Sequence, residues 1–574
     1  MNRSCSSCAA NFEITPDDLA FLQKLAPQIG ERTFALAEPT LCPDCRLQRR
    51  MSWRMERCLY FRTCDATGKK ILSVISPESP FKAFYHEAWY GDTWNALDYG
   101  RSYDFSKPFF QQFAELMKQV PMLALNIVNN QNCDYVNQVG FSKNCYLIIE
   151  ADYDQDCLYG YRIFYNKTCV DVLELTHSER CYECIDCAKC YNLRFSQQCT
   201  QCVDSLFLYN CRSCTGCFGC VGLRQAQHCM FNRQLSKEQY ESHLKSFDPC
   251  NPAHMNAARA QYEALKLKHP RKAFIGEQNE NVTGNYIDES KDCSASFGLR
   301  ACRDCRHCLY IREAKDCMDY LVWGDHAERV YDCECCGHNI QNLHFCCDCW
   351  DGSHDLLYCL QCVLNCSNCF GCVGLQKGKH CILNKQYTQE EYEALVPKVI
   401  GHMQRTGEWG SFFPTAISPY AYNETAAQEN FEMQKGDAIE RGWGWRENLP
   451  VTKGKETMLW SAIPFDIAKV DDLILHYVFA CEATGKNFKI TKQELEFYRQ
   501  SRLPVPRLHP DERHRRRMLM RNPRKLWKRQ CANCQKEIQT SYAPDRPEIV
   551  YCEEFDSGTN TLSFVPRATA PDAP

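Results

Sequence analysis

The sequence has no long apolar run. Its longest, around Val120 to Val128, is far too short to cross a bilayer, which takes about 20 apolar residues. The opening MNRSCSSC has no apolar segment following a basic start, so no secretory signal is expected. A surplus of one charge is lacking too. Lys and Arg total 67 against 71 Asp and Glu, a net charge of -4 over 574 residues, so any nucleic-acid footprint has to be local. There is no phosphate-cradling glycine loop, no HExxH, no GxSxG and no Cys-x-x-Cys set in a βαβ context. No catalytic residue can be assigned, and the reading leans away from an enzyme.

What the chain has is cysteine, 43 in all. Without an export signal the expected setting is soluble, cytoplasmic and reducing, with no membrane. There, Cys-x-x-Cys pairs read as metal sites or packed thiols rather than disulfides. Between Cys133 and Cys229 fifteen cysteines all fall at residue numbers of the form 3n+1, with gaps of only 12, 9 or 3. A phase held over about a hundred residues is the mark of a stacked repeat. Cys145, Leu147 and Ile149 alternate as an inward-facing strand would. A β-solenoid is therefore expected, and the nine-residue gap suggests half of an eighteen-residue coil.

The array is duplicated. CFGCVGLRQAQHCMFNRQLSKEQYE recurs as CFGCVGLQKGKHCILNKQYTQEEYE, with Cys217, Cys220 and Cys229 shifted by 152 to Cys369, Cys372 and Cys381. Each array runs into a capping box, Ser236 with Gln239 and Thr388 with Glu391, which predicts a helix covering the open end of the stack. The ends of the chain form a second duplication: CSSCAANFEIT at Cys5 matches CEATGKNFKIT at Cys481, and LCPDCR at Leu41 matches LHPDER at Leu508. Cys64 matches Cys531, and Tyr85-His86-Glu87 matches Tyr551-Cys552-Glu553.

Two Cys-x-x-Cys pairs, Cys5/Cys8 and Cys42/Cys45, supply the four thiolates of a closed tetrahedral zinc site, the kind that folds a small domain and does not catalyse. In the C-terminal copy Thr484, His509 and Glu512 replace three of these cysteines, but Cys531, Cys534 and Cys552 offer three thiolates of their own, with Phe555 near the place of a fourth. The equivalent N-terminal half retains Cys64 and His86. The array cysteines admit three readings: buried reduced thiols, iron–sulfur clusters on runs such as Cys181/Cys184/Cys187/Cys190, or bound zinc or another soft metal. The densest patch, from Cys333 through His338 and His344 to Cys349, breaks the three-residue phase. It reads either as an outpocketed metal loop or as an irregular coil with doubled thiols.

Basic charge concentrates at two matching places. Residues 502–529 carry eleven Arg and Lys against Asp511 and Glu512, and residues 46–62 carry six Arg against Glu56, with Trp53, Tyr60 and Phe61 interleaved. Arg49, Arg50, Trp53, Arg513, Arg515, Arg516 and Arg517 are thus candidates for contacting RNA or DNA, the aromatic ring by stacking. The competing reading is a helix face paired with acids elsewhere in the chain.

The stretch CSSCAANFEITPDDLAFLQKLAP followed by TLCPDCRLQRR resembles the bacterial "probable zinc-ribbon" family, of treble-clef type, over about residues 5–50. The resemblance implies zinc ligation by Cys5, Cys8, Cys42 and Cys45. Over its full length the chain is similar to large uncharacterised Cys-rich bacterial proteins, some labelled CaiB/BaiF family. CoA-transferases of that family are large α/β enzymes with an Asp nucleophile, a pattern this Cys-periodic sequence does not share. The resemblance implies a zinc fold and no established activity.

The sequence as a whole predicts a multidomain, mainly β protein. A treble-clef zinc module spans 1–62, and a degenerate second zinc half with a helix spans 63–130. The first Cys-rich β-solenoid array covers 131–232, followed by a helical linker over 233–284. The second array covers 285–384, followed by a helix and irregular connector over 385–470. A degenerate C-terminal zinc module spans 471–558, and 559–574 form a disordered tail. The function these features suggest is a zinc-binding scaffold or interaction protein, with nucleic acid as a partner. The alternative is a metal- or iron–sulfur-dependent enzyme or electron-transfer protein using the array cysteines.

Overall fold

The computed structural model describes residues 1–324 and 327–553; the tail expected at 559–574 lies outside them. The chain forms two compact units, each assembled from separate stretches. Unit 1 takes residues 1–126, 274–450 and 524–526, and unit 2 takes 127–273, 451–523 and the chain from 527 onward. The order of segments along the sequence is therefore not the order of packing. The N-terminal module shares a unit with the second array, and the C-terminal module shares one with the first. The stretch expected as an irregular connector is divided as well. Phe412 and Phe413 are buried in the core of unit 1, and Trp460, Ile467 and Val470 in that of unit 2.

In unit 2 the strands Ile127–Val128, Asn137–Gly140, Ile149–Asp152, Tyr161–Phe164, Leu173–Thr176 and Ile185–Ala188 form one sheet in sequence order. Every pairing is parallel and advances by twelve residues, as in Ile149↔Tyr161↔Leu173↔Ile185. The same step recurs in bridges outside the strands, such as Lys143↔Gln155 and Tyr146↔Leu158. Side chains stack accordingly: Phe141, Tyr153, Tyr165 and His177 place ring centroids 4.9 Å apart at each step, the spacing of neighbouring strands. The repeat is thus twelve residues, not eighteen. Within it every third residue, including Asn132, Tyr135, Asn144, Tyr153 and Asp171, has a left-handed backbone with φ near +55°. That conformation costs a non-glycine residue about 1–2 kcal/mol. Here it redirects the chain and lets N–H groups bond along the stack, as when Asn144 N–H donates to Gln131 O and Lys143 N–H to Asp154 O, both at 2.9 Å. The residue after each left-handed position points inward, which is why cysteine gaps are multiples of three.

Unit 1 repeats this pattern with a change of step. Ser367 and Lys379 pair at twelve residues, but Lys315↔Glu328, Gln341↔His354 and His354↔Ser367 pair at thirteen. One extra residue per repeat accounts for the lost phase between Cys333 and Cys366. Cys336, Cys346 and Cys349 face the thiol-lined core, while the adjacent Cys347 belongs to the aromatic core on the other side. His344 is buried, its Nε2 2.6 Å from Leu25 O. The doubled-thiol reading of this patch is the one the register supports. The expected helices follow both arrays, Lys237–Ser246 and Gln389–Arg405, each with its capping box formed.

Candidate metal centres and the arginine helices

One backbone turn occurs four times. Cys5 N–H donates to Ala10 O and Ala9 N–H returns to Cys5 O, both at 2.9 Å. The same pair of bonds is made by Cys64 with Lys69 and Gly68, by Cys481 with Lys486 and Gly485, and by Cys531 with Lys536 and Gln535. The closing residue is left-handed in all four: Ala9, Gly68, Gly485 and Gln535. Each turn is tied to a second segment through equivalent bonds, Ser6 to Thr40, Asp65 to Ala83, Glu482 to Arg507 and Ala532 to Val550.

In the first copy Cys5, Cys8, Cys42 and Cys45 place their sulfurs within 4.8 Å of one another. The Cys8 and Cys42 sulfurs are 3.8 Å apart. Tetrahedral zinc with bonds of 2.3 Å requires sulfur separations of about 3.8 Å. Cys42 N–H donates to Cys5 Sγ at 3.3 Å, the bond that holds a thiolate at the start of the Pro43–Met51 helix. The hydrogen bond from Cys45 pulls the Cys42 thiol down to about 5. Burial opposes ionisation of Cys5, but the N–H groups of Cys42, Cys8 and Ser7 outweigh it and lower that thiol also. Four sulfurs, one already disposed to be a thiolate, fit a divalent soft cation.

In the fourth copy Cys531, Cys534 and Cys552 lie within the same 4.8 Å limit, Cys534 and Cys552 being 3.6 Å apart. Cys552 N–H donates to Cys531 Sγ at 3.2 Å, and despite burial the N–H groups of Cys534 and Cys552 take that thiol down to about 6. Phe555 lies outside the described residues. The two remaining copies show what replaces a ligand. Thr67 and Thr484 stand at the second position and donate hydrogen bonds to Cys64 and Cys481, which lower both thiols although burial works against it. The residue corresponding to Cys42 is His509 in one and Tyr85 in the other, since their backbone N–H groups bond Cys481 and Cys64. His86, expected beside Cys64, is one residue out of register with the ligand position. Glu512, in the place of Cys45, accepts from Arg515 and Arg516 at 2.8 Å instead.

A third group, Glu334, Cys335 and Asp348, lies within the patch from Cys333 to Cys349 that the sequence marked as a candidate metal loop, although Glu334 and Asp348 were not themselves picked out. The Arg54 guanidinium already donates to Glu334 at 2.8 Å, and Cys347 donates to the other oxygen at 3.2 Å, so a cation is present in this cluster without a metal.

The array thiols behave as donors. Cys184 Sγ donates to Tyr182 O at 3.5 Å and to Leu193 O at 3.2 Å, and the same two-residue and nine-residue partners recur at Cys145, Cys169, Cys202 and Cys211. An S–H can do this and a thiolate cannot. Burial pushes the thiols of Cys157, Cys169, Cys184 and Cys199 well up. At Cys187, Cys349 and Cys359 burial acts in the same sense, but hydrogen bonds from neighbouring thiols outweigh it and take them down, so it is burial of the whole ladder that limits access to it. Labelling of native protein with a small maleimide at pH 7 should therefore leave the array cysteines slow to react, while Cys8 and Cys534, both exposed, label rapidly after chelation. Rapid labelling of most array cysteines would refute their protonated, inward placement.

The basic clusters are placed differently from the nucleic-acid expectation. The Pro43–Met51 and Pro510–Leu519 helices set their arginines in the same frame, so that Arg46, Arg50 and Arg54 correspond to Arg513, Arg517 and Arg521. In unit 1 Arg46 pairs with Asp319, Arg50 and Arg49 pair with Asp332, and Arg54 reaches Glu334 at 2.8 Å. In unit 2 Arg513 and Arg517 both pair with Asp171, Arg517 at 2.7 Å, while Arg521 binds Glu174 and Asp186, each at 3.1 Å. Arg46 and Arg50 thus meet Asp319 and Asp332, one thirteen-residue strand step apart, whereas Arg513 and Arg517 share Asp171. Arg50, Arg513 and Arg517 are buried. Trp53 is only 1% exposed, its ring 5.0 Å from that of Phe413. These four side chains face the protein, not a phosphate backbone or a base. Arg49 lies mostly inside, and only Arg515 and Arg516 of the candidates are exposed.

Among the described residues no helix is long and apolar enough to cross a membrane. No protein-family model matches this chain, and no curated protein does.

Proposed function

We propose that this chain is a zinc-dependent scaffold of the reducing cytoplasm. In this reading its two arrays are β-solenoids with thiol-lined cores, and treble-clef modules hold zinc through Cys5, Cys8, Cys42 and Cys45 and through Cys531, Cys534 and Cys552. The observation that carries the reading is the convergence of four sulfurs from two separate turns to the spacing of a tetrahedral ion. A closed four-thiolate site leaves no position for substrate, so the ion's part is to fix the module. The S–H donation along the arrays favours packed thiols over clusters. With Arg50, Trp53, Arg513 and Arg517 occupied internally, a nucleic-acid partner is left with Arg515 and Arg516, both held by Glu512, and a protein partner becomes the better expectation.

Protein purified without oxygen should be colourless and carry about two zinc ions per chain by elemental analysis. Iron with sulfide and visible absorption would overturn the reading in favour of the iron–sulfur alternative. Retention of single-stranded RNA at low salt, lost in an Arg515→Gln/Arg516→Gln variant, would restore nucleic acid as the partner.

A further inference from the structure

Unit 1 contains a cleft of about 400 Å³ between the segment preceding Cys42 and the turn after the Gln389–Arg405 helix. Its volume is that of a small-molecule site. Leu36, Pro39 and Trp409 give it an apolar wall, and Arg46 and Arg49 line its floor beside Tyr331. Trp409 is fixed by donating its indole N–H to Ala35 O at 2.9 Å, and the Arg49 guanidinium lies 5.7 Å from the Phe412 ring.

Three guanidiniums, Arg46, Arg49 and Arg50, share two carboxylates, Asp319 and Asp332. Arg49 commits one terminal nitrogen to Asp332, and its Nε is buried with no hydrogen-bond partner. In unit 2 the counterpart of Arg49, Arg516, lies at the surface on Glu512. Glu38, the carboxylate on the cleft lining, is taken by Arg3. Arg49 shares Asp332 with Arg50, and an anion in the cleft would give it a partner of its own. A guanidinium presents paired N–H donors in the plane that a carboxylate accepts.

We propose that this cleft binds a small organic carboxylate, with its acid group on Arg49 and its apolar or aromatic body against Trp409 and Leu36. None of its side chains is a thiol, but Arg46 and Arg49 stand on the helix that Cys42 caps, so the site shares that helix with the proposed metal centre.

The test is calorimetric titration of the full-length protein with phenylacetate, with benzyl alcohol as a neutral analogue and inorganic phosphate as an anion lacking the apolar body. Phenylacetate should bind, and its affinity should fall as salt is raised. The other two probes should bind at least tenfold more weakly. Arg49→Gln should weaken phenylacetate at least tenfold. Because Arg49 also pairs with Asp332, a second variant guards against a folding defect: Ala37→Trp, at an exposed position on the rim, leaves every charge in place and should block binding by bulk alone. No binding at millimolar phenylacetate, equal binding of benzyl alcohol, or unchanged affinity in Ala37→Trp would each overturn the proposal. Equal or tighter binding of phosphate would overturn the assignment to an organic carboxylate.

Discussion

Cys42→Ser should cost the protein one equivalent of zinc and unfold more than the sixty residues around the site. Structural zinc in small modules contributes apparent binding energies of about 10–16 kcal/mol, comparable with the whole stability of a domain. Cys42 is both a proposed metal ligand and the N-cap of the Pro43–Met51 helix, whose arginines reach Asp319 and Asp332 on the second array. Freeing that helix strands two buried aspartates, so the array in residues 274–384 should become protease-sensitive along with the N-terminus. The array in residues 127–232, which belongs to the other unit, should keep its resistance. Cys481→Ser is the matched control. It removes the one cysteine left in the degenerate copy, at the position of Cys5, where the other three places hold Thr484, His509 and Glu512, so it should leave the zinc content unchanged. Full metal content in Cys42→Ser, or loss of metal in Cys481→Ser, would show that the ligands have been misassigned.

How far the sequence revealed this arrangement varies with the range of the interaction. The gaps of 3, 9 and 12 announced a stacked repeat because inward positions recur every three residues. The repeat length was misread because nine looks like half a coil, whereas it is three of the four inward steps in a twelve-residue register. The left-handed corners were hidden because they carry Tyr, Asp, Glu and Phe as readily as Asn, and only the inter-strand hydrogen bonds tell them from ordinary strand positions. The four-cysteine site was legible because its spacing is local and its chemistry narrow. The register of the degenerate copies was not: aligning His86 with Cys552 matched two side-chain types that can bind metal, but the backbone puts Tyr85 there. The arginine clusters were equally compatible with phosphate and with carboxylate because their partners are hundreds of residues away. Asp171 and Asp319 each sit singly in a cysteine-rich stretch, and nothing nearby marks them as the counter-ions of Arg513 and Arg46.

Those two aspartates carry the second large effect. Asp171→Ala leaves Arg513 and Arg517 buried, and Asp319→Ala leaves Arg46 without its pair and Arg50 with Asp332 alone. Removing one partner of a buried ion pair costs about 3–5 kcal/mol, because the remaining charge stays out of water. Each variant should lose about that much of its unit's stability in urea denaturation at pH 7. Lys492→Gln, whose pair with Glu496 lies at the surface, should change it by less than about 0.5 kcal/mol. Acid gives an independent check. Burial works against the Asp319 carboxylate, but Arg46 and Arg50 outweigh it and hold the group below its ordinary value of about 3.9. A carboxyl with a depressed folded pKa contributes stability above its unfolded pKa, and the contribution disappears as pH falls through the folded value. The wild-type protein should therefore lose the Asp319 contribution only below about pH 4, and Asp319→Asn should flatten that part of the acid limb while starting from a lower plateau. If Asp171→Ala and Asp319→Ala unfold at wild-type urea concentrations, the arginine helices are not held to the arrays by these acids, and their guanidiniums would be free for an external anion such as a nucleic-acid backbone.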